Sequence, residues 1–263
     1  MAVIALVSAK TSPGATTTAV ALALSWATPT LLVGADPGGD DVLSGYLGPW
    51  VSKGLVRPNM GLVSFAHATR HTDPAEVGDL AAHTQLLPGG RDARVLVGLT
   101  EPSQGAVVGA GGWRRLATAL SAMAGPGREC DAVVDCGRFG PATPRALIEV
   151  ADLVLVAVRP CHRSVMAARP LLRVLRQQVP AERLGLAVVA TTARGAAEVR
   201  EVLDVPLALT LPSDLVAAQA CSDAAAAVPR TSPLIREAVA AGHRLHAALT
   251  HASLGRVLVG TRS

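Results

Sequence analysis

Residues Ala2 to Val7 are an unbroken apolar run the length of one buried strand, and they lead into the turn Lys10-Thr11-Ser12-Pro13-Gly14-Ala15-Thr16-Thr17-Thr18. After this turn, Thr17 to Ala27 is rich in small residues and leucine, which suits a buried helix opened by a threonine. A strand, a glycine turn and a helix N-terminus in that order aim free N–H groups and the positive end of a helix dipole at one spot, where they attract anions. The chain therefore opens with the parts of a phosphate cradle, and a nucleotide is the first expectation.

Length and composition bound the rest. With 263 residues, half of them apolar, the chain can bury a large core as one α/β unit over residues 1–250, with 251–263 as a tail. Aromatic residues make up only 2%, so the core has to be built from Ala, Val and Leu, and base stacking on aromatic side chains is a poor expectation. The net charge of +4 permits weak attraction to DNA or acidic lipid without requiring either. Cys130, Cys136, Cys161 and Cys221 have no C-x-x-C spacing, and Lys10 follows rather than precedes the apolar start. Both features point to reduced thiols in a cytoplasmic protein. No apolar run reaches the roughly 18 residues of a membrane span.

Two further carboxylates stand at the ends of apolar runs. Thr30 to Ala35 reads as a second strand and delivers Asp36 in the segment Asp36-Pro37-Gly38-Gly39-Asp40. That aspartate can serve chemistry at a strand end or simply cap a turn. Ala132-Val133-Val134 runs into Asp135, an arrangement that suits a carboxylate near a metal.

In this order the three stretches resemble the MinD/ParA family of P-loop ATPases, whose phosphate loop reads Lys-Gly-Gly-x-Gly-Lys-Thr-Thr. Lys10, Gly14, Thr16 and Thr17 match it, while Ala15 stands where the phosphate-gripping lysine belongs. The run of three threonines admits two registers one residue apart. The resemblance implies a doubly wound, mostly parallel α/β sheet of about seven or eight strands flanked by helices, binding ATP and Mg²⁺. By the same resemblance, Lys10 reaches a partner's nucleotide across a homodimer. Ser12, Pro13, Gly14, Ala15, Thr16 and Thr17 line the phosphates, and Asp36 positions the attacking water. Thr16, Asp36 and Asp135 serve the metal, and Pro212 borders the base. Lys10 is one of only two lysines beside 22 arginines, which makes its position informative. The family's glutamine after the strand-end aspartate is Gly38 here, and Thr191-Thr192 replace the asparagine that contacts adenine. Loss of one charge-assisted hydrogen bond costs roughly 1.5–3 kcal/mol, or about one to two powers of ten in affinity. The implied function is a nucleotide-dependent dimerising switch that positions a septum, chromosome or secretion or pilus apparatus, with weak or slow hydrolysis. The alternative is a pseudo-ATPase scaffold that turns over nothing.

The remaining chain predicts further alternation. Gly61 to Phe65 reads as a short strand and Asp73-Pro74-Ala75-Glu76 as the start of a helix ending near His83, while Gln85-Leu86-Leu87-Pro88-Gly89-Gly90 resembles the mid-chain strand end of MinD-like proteins. Arg91 to Gly112, with five glycines, reads as a mobile loop. Trp113 to Met123 resumes helical spacing with Arg114 and Arg115 toward solvent. Helices follow at Thr143–Val150 and His162–Gln178, the latter kinked at Pro170, and at 231–249. Strands follow at Asp152–Val158, Leu184–Thr191 and Val205–Leu211. His67 and His71 have the spacing of two ligands on a helix but read as surface residues. Arg169, Arg173 and Arg176 form a basic stripe that suits either non-specific DNA contact or a solvated face. The tail from His251 is glycine-interrupted and reads as frayed, a weak candidate for peripheral membrane contact.

Overall fold

The computed structural model describes residues 2–10, 13–73, 75–76, 78–123, 130–224 and 227–260, with the side chains of 252–260 excepted. Among these residues the strands are β1 (Val3–Ser8), β2 (Thr30–Gly34), β3 (Gln85–Leu86), β4 (Ala93–Leu96), β5 (Asp131–Arg138), β6 (Leu153–Val158), β7 (Leu184–Val189) and β8 (Leu207–Leu211). They form one eight-stranded sheet in the order β3-β4-β2-β5-β1-β6-β7-β8. Only the edge pair β3 and β4 is antiparallel. Every residue of β1, β6 and β7 is buried, which is why these strands read as continuous apolar runs: helices cover both faces of a parallel sheet.

The two-residue side-chain period divides the core. Val3, Ala5 and Val7 of β1 pack with α3 (Leu62–Ala68), α4 (Gln104–Ala122), α5 (Arg145–Val150), α6 (His162–Leu175) and α7 (Ala193–Leu203). Ile4 and Leu6 face the other way, into α1 (Ala15–Ser25), α8 (Leu215–Asp223) and α9 (Pro233–Gly260). A short helix (Gly48–Ser52), called α2 in chain order, follows a π-helical turn at Val42–Tyr46.

The amino end of the sheet is pinned by Asp131. Its carboxylate accepts from Ala2 N at 2.6 Å, Trp26 Nε1 at 2.7 Å and Thr28 Oγ1 at 2.9 Å, with His246 Nδ1 2.8 Å away. Burial alone would raise its pKa, but the hydrogen bonds from Trp26, Ala2, His246 and Thr28 outweigh burial and hold it below the ordinary value. One side chain thus ties the end of α1 and the body of α9 to the sheet.

Several sequence expectations are corrected. Helix α1 starts at Ala15 behind a glycine cap, two residues before Thr17, because Gly14 turns the chain in the left-handed conformation. Gly61–Phe65 is not a strand. Its residues open α3, where the Ser64 hydroxyl accepts from Gly61 N at 3.0 Å, and only Gly61 bridges to Val97. No helix runs from Asp73 to His83 among the described residues: the Asp73 side chain accepts from Ala75 N and makes a turn, and Ala81–His83 is a single 3₁₀ turn. Pro74 lies outside the described residues.

Arg91–Gly112 is not a loop but holds β4, the start of α4 and a sharp bend at Gly109, φ 56°. Arg115 is 8% exposed rather than solvated, because its Nε donates to the Thr69 hydroxyl at 3.1 Å. Pro170 sits inside α6. Helix α9 continues to Gly260, where a frayed tail was expected. No helix among the described residues is long and apolar enough to cross a membrane.

Candidate nucleotide-binding site

Strand order reverses around β1, with β5 and β2 on one side and β6 on the other, so a crevice opens beyond the carboxyl ends of these strands. A cleft of about 800 Å³ occupies it, bounded by residues 14–17, 36–39, Gly137, Arg138, Arg159 and, at the far wall, Ser222 and Asp223.

The floor is the start of α1. Gly14 has φ 103° and ψ 31°, a conformation that glycine adopts at little cost, and no side chain caps the helix behind it. The first amides of α1 are therefore orphan donors at the positive end of the helix dipole. The three threonines separate by direction. Thr18 is fully buried, and its hydroxyl donates to Gly14 O at 2.7 Å. Thr16 and Thr17 line the cleft instead, and the Thr16 side chain lies near enough to Asp135 to favour its charged form. Ala15 thus opens the helix, Thr16 and Thr17 face the cleft, and Thr18 bonds back inside the loop. Ser12 lies outside the described residues; Pro13 is buried.

Asp135, 2% exposed near the end of β5, accepts from Gly137 N at 3.0 Å. Burial pushes its pKa up to about 7, and the nearby Asp40 and Asp36 carboxylates push in the same direction against the nearby Thr16 side chain and the hydrogen bond from Gly137 N. Asp36 follows β2, half-buried, and its Oδ1 accepts from Gly38 N at 2.7 Å. Burial raises its pKa against the hydrogen bonds from Gly38 and Arg138 N. Asp36 caps its own turn and also lines the cleft.

Two features went unrecognised in the sequence. Gly137 has φ 59°, and a Cβ there would run into the Asp36 carboxyl group, so only glycine lets these two carboxylate loops approach. Asp40 is 5% exposed, accepting from Val42 N at 2.9 Å and Gly98 N at 2.7 Å. Burial lifts its pKa to about 6. It belts the loop after β2 to the end of β4, and the only sequence signal was a second aspartate after Gly38-Gly39.

The other candidates fall elsewhere. Lys10 is exposed and lines a groove with Phe139, His162, Met166 and Pro170 of the α6 side, not the cleft of its own chain. Pro212 is half-buried after β8 and is not among the cleft residues. Asp214 beside it caps α8, accepting from Ala217 N at 3.1 Å. The Thr191 hydroxyl donates to Thr192 O, and Thr192 caps α7. His67 and His71 are both exposed, and the four cysteines are unpaired. Arg176 donates to the carbonyls of Leu203 and Asp204, so a third of the basic stripe serves the end of α7.

Among the described residues no three His, Cys, Asp or Glu side chains converge on a metal site. One carboxylate and one hydroxyl nevertheless fit a hard cation that takes its remaining ligands from phosphate and water. A buried acid that burial holds near neutrality also fits a site completed by positive charge.

Neither a family model nor a curated protein matches the sequence. Solved structures do. A ParA family ATPase from Chlorobium tepidum superposes with a TM-score of 0.71 at 18% identity, covering 92% of this chain and 98% of that one. The fold is that of the ParA and MinD ATPases. The septum site-determining protein MinD from Pyrococcus horikoshii, complexed with Mg-ADP, gives 0.69 at 15% identity over 93% and 95% of the two chains. A substituted McdA from Cyanothece, solved as an ATP complex, gives 0.62 at 16% over 92% and 96%. At these identities the ParA/MinD likeness speaks for architecture, and function has to rest on the cleft.

Proposed function

We propose that this chain is a ParA/MinD-like nucleotide-dependent switch that binds ATP with Mg²⁺ in the cleft, dimerises around it, and positions a septum, chromosome or secretion or pilus apparatus. The observation that carries the reading is left-handed Gly14 opening α1 onto the cleft, with the Thr16 side chain near the buried Asp135. Structures of the same fold have been solved with Mg-ADP and with ATP, which supports the choice of ligand.

In this reading the amides of residues 14–17 hold phosphate oxygens, Thr16 and Asp135 hold the metal, and Asp36 orients water. Bound Mg²⁺ supplies charge neutralisation at the phosphates. Lys10, outside its own cleft, is free to reach that of a second copy. Residues 1–250 act as one unit in the cytoplasm. Arg169 and Arg173 remain available for weak DNA contact, and an unidentified protein partner triggers turnover.

A scaffold without turnover is the second reading, favoured by Ala15 and Gly38, which take away a phosphate cation and a polar partner of the attacking water. One titration separates the two: Mg-ATP against wild type and Lys10→Ala, recording heat, mass in solution and phosphate release. Binding and dimerisation with slow release supports the switch. Binding and dimerisation with no release supports the scaffold, and no binding removes nucleotide from the account.

A further inference from the structure

Phosphate loops of this shape need a cation, and Ala15 leaves this one without its own. The cleft nevertheless holds two guanidinium groups on different strands. Arg159 follows β6, is exposed, and its Nε donates to Pro13 O at 3.3 Å, which fixes the side chain against the phosphate loop itself. Its backbone is held too, since Arg159 N donates to the Ser164 hydroxyl at 3.0 Å. Arg138 ends β5, also exposed, beside Asp36. Among the described residues neither arginine is in a salt bridge, and of the two only Arg138 has its charge near a carboxylate that its field lowers, that of Asp36.

The geometry points to Arg159 as the cation that takes over, from the neighbouring strand, the work of the absent lysine: gripping the terminal phosphates of the nucleotide. This rests on the nucleotide reading above and names the residue that makes it workable. With Nε engaged by Pro13 O, the terminal nitrogens of the guanidinium, which make no hydrogen bond among the described residues, can donate in parallel to two oxygens of one phosphate group, a fork that an ammonium cannot make. Anchoring also lowers the entropy lost on binding, because the arm is already tied to the loop it serves. Arg138 lines the same cleft but, among the described residues, its side chain makes no hydrogen bond to the loop.

The test uses the full chain and a fluorescent ATP analogue in equilibrium titration, with AMP and inorganic triphosphate as competitors. Arg159→Gln keeps a donor for Pro13 O and removes the charge. It is expected to weaken Mg-ATP binding about 10- to 100-fold, the size of one charge-assisted hydrogen bond, and to weaken AMP binding little. The salt dependence of binding should flatten in the variant. Ala15→Lys added to Arg159→Gln should recover most of the loss, because it restores a cation to the same phosphates. Equal ATP affinity in wild type and Arg159→Gln overturns the inference while leaving the nucleotide reading intact. Equal losses for ATP and AMP, or no recovery by Ala15→Lys, also overturn it by making Arg159 a structural strut. Absence of nucleotide binding to the wild type is a different result, which defeats the reading on which the inference stands.

Discussion

Asp135→Asn should make the nucleotide-free protein more stable at alkaline pH. Asp135 is buried, and its pKa is lifted from 3.8 to about 7 by burial first and by Asp40 and Asp36 second. A raised acid holds its proton more tightly in the folded state. The folded protein therefore gains stability as pH falls from about 7 toward 4 and loses it as pH rises through that window. Above pH 7 the full cost of the buried charge is present, on the order of 4 kcal/mol at about 1.4 kcal/mol per pH decade. Asparagine keeps the acceptor for Gly137 N and removes the charge, at the expense of a weakened polar contact with the nearby Thr16 side chain, about 1 kcal/mol. The expected gain is about 2–3 kcal/mol near pH 8 and close to zero near pH 5, where the wild-type carboxyl is already protonated. Asp40 is present in both proteins, so its own titration mostly cancels; relief of its repulsion by Asp135 adds slightly to the gain. Urea unfolding of both proteins at the two pH values, without Mg²⁺ or nucleotide, reads the difference as a midpoint shift. A variant less stable than wild type near pH 8, or a difference that does not change with pH, refutes the account of a charge held in readiness for a cation.

Three other perturbations follow from the same geometry. Gly137→Ala places a methyl group against the Asp36 carboxyl at φ 59° and should cost at least about 2 kcal/mol in urea unfolding; an unchanged midpoint would show that the two loops are looser than described. Asp131→Ala strands the donors of Ala2, Trp26 and Thr28 at the opposite end of the sheet and should cost about 3 kcal/mol without touching nucleotide affinity. Because the folded pKa of Asp131 is depressed, its contribution is complete above about pH 4 and fades as pH falls further, so the variant should lose less stability than wild type on the acid limb. Replacing Arg169 and Arg173 together by Ala should lower the salt slope of any DNA retention by about two, and an unchanged slope would exclude the stripe as the contact.

The legible parts of this chain are those where burial and sequence period agree. Strands β1, β5 and β6 are covered on both faces, so they appear as apolar runs, and two of them end on cleft residues. Ala15 to Ser25 was visible as a helix but not its start, because a threonine run suggests a hydroxyl cap and the actual cap is the backbone of Gly14. Strand β4 escaped notice because Ala93-Arg94-Val95-Leu96 is short and carries an arginine, whose side chain leaves the sheet edge to bond Thr84. Gly61 to Phe65 looked extended because Leu-Val-Ser-Phe can alternate, and a local hydrogen bond from Gly61 N to Ser64 decides for helix. Arg115 and Asp40 are buried by partners distant in sequence, Thr69 and Gly98, which no local pattern announces. Asp36, which lines the cleft, and the buried Asp135 were readable as carboxylates that close apolar runs. Arg159 was not, because an arginine among 22 carries little signal until it is seen bonded to Pro13.

The most direct test of the central claim is amide hydrogen exchange on the full chain with and without saturating Mg-ATP. Strong slowing at residues 14–18 and 36–40, with smaller slowing at 135–138, and loss of that pattern when Mg²⁺ is chelated, is the expected result. Unchanged exchange in the first turn of α1, or protection confined to another face of the sheet, would contradict the assignment of this cleft to a nucleotide.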